Sequence, residues 1–417
     1  MKTGDDQFLR PRLRGTLEAI AITHENEEYW LLRDRQGDAP DAIVPREMGA
    51  LLALLDGSRT RDEIDAEIER NADVPEGFLD DFLAQLDEAL LLDSPHFRAH
   101  QQEQLENYLS SPTRESTLAG RAYPDDTARL RKQLNGYFLA ARKIEVRSKT
   151  TVLPEKIRGC IVPHIDFRRG GVAEALAYES LQNEKFDTLV ILGIAHAGVR
   201  YPFCLLPKGF ETPLGTARCD DEFCASLEKQ LGPRLTAEAL THRDEHSVEF
   251  VAVFAQHLAN LRDARIVPII CGGFFRELQN RTSPSHNADL TEFARVLRQT
   301  CGEWTRNGKR VGIICSVDGA HVGSNFDDDT PLTPERLAEI EREDVVAWQC
   351  VENGDREAFH AALAKDNNAR NVDAHPAVYT TLLAFPEWRA RLLHYDQAFS
   401  EEENSVVSFA ALQLFEP

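Results

Sequence analysis

The sequence predicts an α/β fold: a three-layer domain over the last two thirds of the chain, preceded by a small unit of one hairpin and three short helices. Three observations carry this. Four continuous apolar runs, "IRGCIVPHIDF", "DTLVILGIAHAG", "ARIVPIICGG" and "KRVGIICSVDGAHVG", are bounded by charge on one side and by Gly or Pro on the other, as strands buried on both faces are. Helical segments alternate with them, which calls for helices on both faces of one sheet. Before residue 95 the pattern is different, with period-3.6 apolar spacing after a single hairpin signal.

Residues from about 16 to 35 hold two apolar runs separated by the polar "HENEE", the pattern of a β-hairpin with His24 in its turn. Helical spacing follows: "PREMGALLALLDG" puts Met48, Leu51, Leu52 and Leu55 on one face and stops at Gly57. "SRTRDEIDAEIER" offers Ser58 and Thr60 as N-caps, with Asp62 and Glu63 in a first turn whose dipole they suit. "PEGFLDDFLAQLDEALLL" makes the third helix, and the unit spans 1–95. A polar helical linker is expected over 96–154, interrupted by "SSPTREST" and Pro124. His96 and His100 lie i, i+4 in it with nothing apolar or acidic converging on them, so they read as a solvated face. The α/β domain then occupies 155–417, with helices such as "GVAEALAYESLQN", "SVEFVAVFAQHLANL" and "ADLTEFARVLRQTCGEW".

Composition narrows the function. The formal charge of -22, from 69 acidic against 47 basic residues, repels phosphate backbones and anionic lipid, so nucleic-acid and membrane-surface binding are disfavoured. No apolar run approaches the roughly 20 residues that span a bilayer, and the charged start has no signal-peptide core, so a cytoplasmic location is expected. Eight cysteines without CxxC spacing make neither a disulfide framework nor a zinc ribbon. Cys160, Cys271 and Cys315 sit in strand-like runs as small reduced core residues; Cys204, Cys219 and Cys224 are given no role.

The chemistry lies in four histidines. His164, His196 and His321 each follow an apolar run, and His246 starts a helix. Loops leaving the carboxyl ends of neighbouring strands in an open α/β sheet converge on one crevice, so these imidazoles can meet there. Neutral imidazole is the commonest protein ligand for a first-row transition metal. Two such ligands joined by one carboxylate make the facial triad of non-haem Fe(II), and Asp166, Asp318 and Asp373 lie near the right loops. His246 and Glu249 fall at i, i+3 on one helical face, with Asp244 at a position to cap the start. Gly170 and Gly171 open a helix whose amino end, with Arg168 or Arg169, could hold a carboxylate or phosphate. Pro213 and Gly215 in "ETPLGTARCDD" mark a tight turn, with Thr212 facing the pocket, while "NFDDDT" lacks the glycine and distal glutamate of a calcium loop.

Seven phrases in order, "VPHIDF", "LGIAHAG", "ETPLGTARCDDEF", "DEHSVEF", "VPIICGG", "SVDGAHVG" and "NNARNVDAHPAVYTTLLAF", make residues from Lys156 onward resemble the Memo family, similar in fold to the class III extradiol dioxygenases. The resemblance implies a mixed central sheet. It implies His164 and His196 as metal ligands, with His321 over the metal as acid/base and ligand, Asp318 orienting the His321 ring, and His246 as a catalytic group at the pocket wall. Many members carry a cysteine before the late proline, whereas this chain reads "NVDAHPAV"; Asp373 is then the candidate ligand, with His375 beside it, and the harder site suits Fe(II) better than copper, with zinc a further alternative. Asp166, Arg168, Thr212, Glu249 and His375 are left as substrate-binding candidates. The phrase "LLDGSRTRDEI" makes the first unit similar to PqqD-like winged-helix domains, which present peptides.

Three functions follow as expectations. The first is a non-haem Fe(II) dioxygenase-like oxidoreductase acting on an aromatic or peptide-derived substrate presented in part by the first unit. The second is a non-catalytic metal- and peptide-binding module of a radical-SAM-linked pathway, and the third a metal-assisted hydrolase. The resemblance implies radical-SAM and AMMECR-type proteins as partners.

Overall fold

The computed structural model describes residues 8–34, 39–147 and 156–417. The chain forms two compact units, Met1–Ser110 and Ser111–Pro417. Residues 148–155, which hold the expected boundary between linker and α/β domain, lie outside the described residues.

In the first unit β1 (Leu17–His24) and β2 (Glu27–Asp34) pair antiparallel about Glu25 and Asn26, both at positive φ (51° and 67°), the backbone of a two-residue hairpin turn. A short strand that no apolar run announces, β3 (Ala42–Pro45), pairs with β2. Four helices follow: α1 (Gly49–Leu54), α2 (Arg61–Asn71), α3 (Phe78–Glu88) and α4 (Pro95–Ser110). Thr60 caps α2 reciprocally: its hydroxyl accepts the Glu63 N–H at 3.3 Å, and the Glu63 carboxylate accepts the Thr60 N–H at 2.7 Å. Leu32, Val44, Leu51, Leu55, Ile64, Leu79 and Leu83 form a separate buried core.

The linker expected over 96–154 is divided. Residues to 110 belong to the first unit as α4, and residues from 111 on belong to the second. "SSPTREST" and Pro124 do separate two helices, α4 and α5 (Thr127–Ala141), but the stretch is built into the second unit: it contains β4 (Thr113–Arg114), and α5 packs on that unit.

The second unit then runs β5 (Lys156–Val162), α6 (Phe167–Glu179), β6 (Thr188–Ile194), β7 (Phe203–Leu205), β8 (Gly209–Thr212), β9 (Gly215–Ala217), α7 (Asp221–Leu231) and α8 (Ser247–His257). It continues with β10 (Arg265–Cys271), α9 (Phe275–Asn280), α10 (Ala288–Arg306), β11 (Val311–Ser316), β12 (His321–Gly323) and α11 (Pro334–Glu352). Last come α12 (Arg356–Ala364), α13 (His375–Ala384), β13 (Arg389–Ser400) and β14 (Ser405–Glu416).

The central sheet is mixed, as expected. Its order is β12-β14-β5-β11-β6-β10-β7, with β13 on the other edge of β14. β5, β11, β6 and β10 are parallel neighbours, while β14 and β7 run antiparallel beside them. Helices α6 and α8 cover one face and α10 and α13 the other, giving three layers around a core that includes Val190, Leu192, Val267, Ile269, Ile313 and Cys315. Gly159 is required where β5 meets β11: it sits at φ 150°, and a Cβ there would lie 1.7 Å from the Ile313 carbonyl oxygen. A smaller sheet, β4-β8-β9, lies beside α8.

A candidate metal centre at the carboxyl ends of the parallel strands

Strands β5, β11 and β6 lie side by side in register, and two residues past the end of each stand His164, Asp318 and His196. Three distant stretches of sequence therefore deliver their side chains to one rim of the sheet. His321 arrives as the first residue of β12, Asp373 from the segment before α13, and His246 from the cap position of α8.

The groups converge. The Asp373 Oδ2 atom lies 3.1 Å from His164 Nε2, 3.9 Å from His196 Nε2 and 4.0 Å from His321 Nε2. The ring centroids of His164, His196 and His246 are 4.6–5.0 Å apart. In each of the three rings facing Asp373 the Nδ1 atom is engaged by an acceptor. His164 Nδ1 lies 2.9 Å from the Ser316 carbonyl, His196 Nδ1 3.0 Å from Glu245 Oε2, and His321 Nδ1 3.1 Å from the Asn371 carbonyl. Such acceptors place the proton on Nδ1 and leave the Nε2 lone pair facing the cluster.

His164 Nε2 and Asp373 Oδ2 are buried and face each other at 3.1 Å, with no other hydrogen-bond partner for either. A buried carboxylate oxygen among ring nitrogens calls for a positive charge, which a proton on His164 or a bound cation supplies. Among the described residues, two sets of groups have ligand atoms close enough to share an ion: His164, His196 and His246, and His164, Asp318 and Asp373. Imidazole nitrogen with carboxylate oxygen is the donor chemistry of a first-row transition metal, so the residues fit the expected group.

Electrostatics agrees. Burial would lower the pKa of His164, but Asp318 and Asp373 outweigh it and push it up to about 10. Two carboxylates thus create a demand for positive charge that a cation meets as well as a proton does. They are not equivalent: burial pushes Asp318 up, whereas His164, His321 and His196 hold Asp373 down in spite of burial. His246 is pulled down to about 3, by burial and then by His164, and stays neutral near pH 7.

Several candidates sit elsewhere than the sequence suggested. Asp318 does not accept from the His321 ring: its Oδ1 takes the His164 backbone N–H at 3.0 Å, and its own N–H goes to Asp373 Oδ1 at 2.7 Å, tying two loops together. Asp166 is the cap of α6, accepting the Arg168 N–H at 3.0 Å and pairing with Arg169, so that helix end already holds a carboxylate; the Arg168 side chain is exposed. Thr212 spends its hydroxyl on its own turn, donating to Gly215 and accepting from Leu214. His375 is buried beside His360, its Nε2 3.0 Å from His360 Nδ1, and burial pulls it down to about 3. Glu249 is wholly buried and faces Arg114, Ser116, Thr117, Leu118 and Tyr123. Asp244 is exposed and pairs with Arg243 instead of capping α8.

That cap belongs to Glu245, which the sequence reading missed. Its Oε1 accepts the backbone N–H groups of His246 (2.8 Å) and Ser247 (2.9 Å), and its Oε2 accepts the backbone N–H and ring Nδ1–H of His196. Although burial opposes it, these bonds hold its pKa far below the usual carboxylate range. Ser247 then clasps the end of β6, accepting the Ile194 N–H and donating to its carbonyl. The available signal was an acid directly before the histidine in "DEHS".

Comparison with known proteins identifies the family. A family model described as "Memo-like protein" matches residues 114–413. A "MEMO1 family protein" of Aquifex aeolicus is 27% identical over 393 residues, covering 93% of this chain and 96% of its own length. Another from Thermus thermophilus is 26% identical over 338 residues, covering 80% of this chain and 93% of its own. With the matched region covering most of the chain and every converging histidine, the chain belongs to the Memo-like family.

Proposed function

We propose that the chain is a metal-dependent oxidoreductase of dioxygenase-like type, with Fe(II) held by His164, His196 and Asp373. The observation that carries this reading is the meeting of three Nε2 atoms around one buried Asp373 oxygen. His164, His196 and Asp373 would hold the ion, and a bound Fe(II) would supply the oxygen-activating chemistry. The protein's part is to position and to move protons. His321, turned by the Asn371 carbonyl, keeps Nε2 available to take a proton from an acidic substrate group and return it. His246 stays neutral and walls the site. His196, with a side chain 40% exposed, marks the side open to substrate.

The substrate proposed is an aromatic or peptide-derived group. β1 is an edge strand in the first unit, where an incoming peptide could add as a fourth strand, the role expected of a PqqD-like domain. Radical-SAM and AMMECR-type proteins are the proposed pathway partners. No described helix is long and apolar enough to cross a membrane, and a cytoplasmic location is part of the same reading.

A second reading rests on the His164, His196 and His246 cluster: three imidazoles with a metal-bound water suit zinc and hydrolysis. Anaerobic purification, metal analysis and nitric oxide addition to the ferrous protein separate the two. We expect stoichiometric iron, an iron-nitrosyl EPR signal, and loss of most iron in His164→Ala and Asp373→Asn with unchanged near-UV circular dichroism. Retention of iron by Asp373→Asn together with its loss from His246→Gln would favour the three-imidazole site. A folded, metal-free protein that binds peptide would overturn both.

A further inference from the structure

Arg114 stands outside the metal centre, yet it is 2% exposed and has every donor group engaged. Its Nε donates to the His242 carbonyl at 2.7 Å and its Nη2 to the Glu245 carbonyl at 2.9 Å. Its Nη1 pairs with Glu249, and Nη2 also reaches the Thr117 hydroxyl at 3.2 Å. The guanidinium lies over the Phe210 ring at 4.9 Å. One planar group thus grips both ends of the turn 242–245 and the first turn of α8 together.

That turn carries Glu245, whose carboxylate holds the backbone N–H and the ring of His196. Glu249 completes the clamp from the other side. Its two oxygens also accept from Ser116, Thr117, Leu118 and Tyr123, so the stretch 114–123 is wrapped around one buried carboxylate. A carboxylate buried this deeply stays ionised only because Arg114 and these donors outweigh the effect of burial.

We propose that Arg114 is a positioning residue for the metal ligand His196, acting through the Glu245 carbonyl and then the Glu245 carboxylate. The inference rests on the proposed metal centre only for its consequence, because what it asserts first is the orientation of an imidazole. A point charge on a flexible stem, such as lysine, can neutralise Glu249 but cannot hold two carbonyls in a fixed fork. Groups that orient a ligand typically alter metal affinity by about 10- to 100-fold.

The test compares Arg114→Lys with the full-length protein by two readouts. The first, on metal-free protein labelled with 15N-histidine, is the downfield proton resonance of His196 Nδ1–H bonded to Glu245, assigned by its absence in His196→Gln. The second is the affinity for cobalt(II) and the visible absorption of the bound ion. We expect Arg114→Lys to fold, to lose or shift that resonance, and to bind cobalt(II) about 10- to 100-fold more weakly with an altered spectrum. An unchanged resonance and spectrum would overturn the proposal and leave Arg114 as a neutraliser of Glu249. Should Arg114→Lys fail to fold, Arg114→Met with Glu249→Gln removes both charges together and leaves no unpaired ion, and the same resonance is read there. If the parent protein binds no cobalt(II) while the resonance still depends on Arg114, the metal reading fails and the positioning role stands.

Discussion

Glu245 and His242 show how much of the site is decided by single buried groups. Glu245 serves four donors at once and so fixes a helix end and a ligand ring with one carboxylate. His242, buried four residues upstream of His246, bonds the Cys204 carbonyl through Nε2 at 3.0 Å, and burial, helped by Arg114, pulls it down to about 4. Its folded pKa lies below the unfolded value of 6.5, so the unfolded chain takes up the proton first. Stability contributed by the neutral ring is therefore intact above about pH 6.5, falls as pH drops towards about 4, and is lost below; the loss is on the order of 3 kcal/mol. Denaturant titrations at pH 7, 5.5 and 4 should show a shallower decline for His242→Gln than for the parent, and equal slopes would refute this. His164, His196 and His321 were legible because each ends an apolar run in a recognisable phrase. Glu245 had only the weak signal of an acid directly before a histidine, and Arg114 had none: among 47 basic residues nothing local marks the one that long-range packing buries.

Among the secondary-structure elements, the contact of β6 with α8 carries the site. Gly193 leaves room for Ser247, since a Cβ there would stand 2.4 Å from the Ser247 hydroxyl oxygen. Gly193→Ala should destabilise the second unit by about 1–3 kcal/mol through overpacking. Adding Ser247→Ala should recover part of that loss, and strict additivity in a double-mutant cycle would count against the contact. The four parallel strands were readable as continuous apolar runs, because strands covered on both faces need no alternation. β13 was not among those runs, since "RARLLHYDQAFS" mixes charge with apolar residues along a half-exposed edge strand, whereas β14, "SVVSFAALQLFE", is buried along nearly all its length and was an apolar run left unread. β3, β7, β8, β9 and β12 are three or four residues long, too short for periodicity to register.

Across the whole molecule, the boundary at Ser110 and Ser111 predicts how the chain can be divided. A chain starting at Ser111 should stay soluble and cooperative in thermal unfolding. One starting at Lys156, the limit read from the apolar runs, loses Arg114 and the donors from Ser116 to Tyr123. It then leaves Glu249 buried and unpaired, a loss of about 3–5 kcal/mol from the ion pair alone. We expect it to be insoluble or molten, and a stable, cooperative fragment from Lys156 would contradict that. The sequence placed 96–154 as linker because charged, polar residues dominate it; what ties 111–123 to the second unit is the pairing of β4 with β8 and a set of bonds to residues still farther along the chain.

The position of β5 has a consequence for biogenesis. Both its neighbours, β11 and β14, come later in the chain, the farther beginning at Ser405, about 240 residues beyond Val162. At the usual ribosomal pace of about 5–20 residues per second, β5 waits about 7–30 s for β11 and about 12–50 s for β14. Two bare edges on so apolar a segment invite pairing with other nascent chains, so translation of this protein should lean on chaperone shielding of that strand.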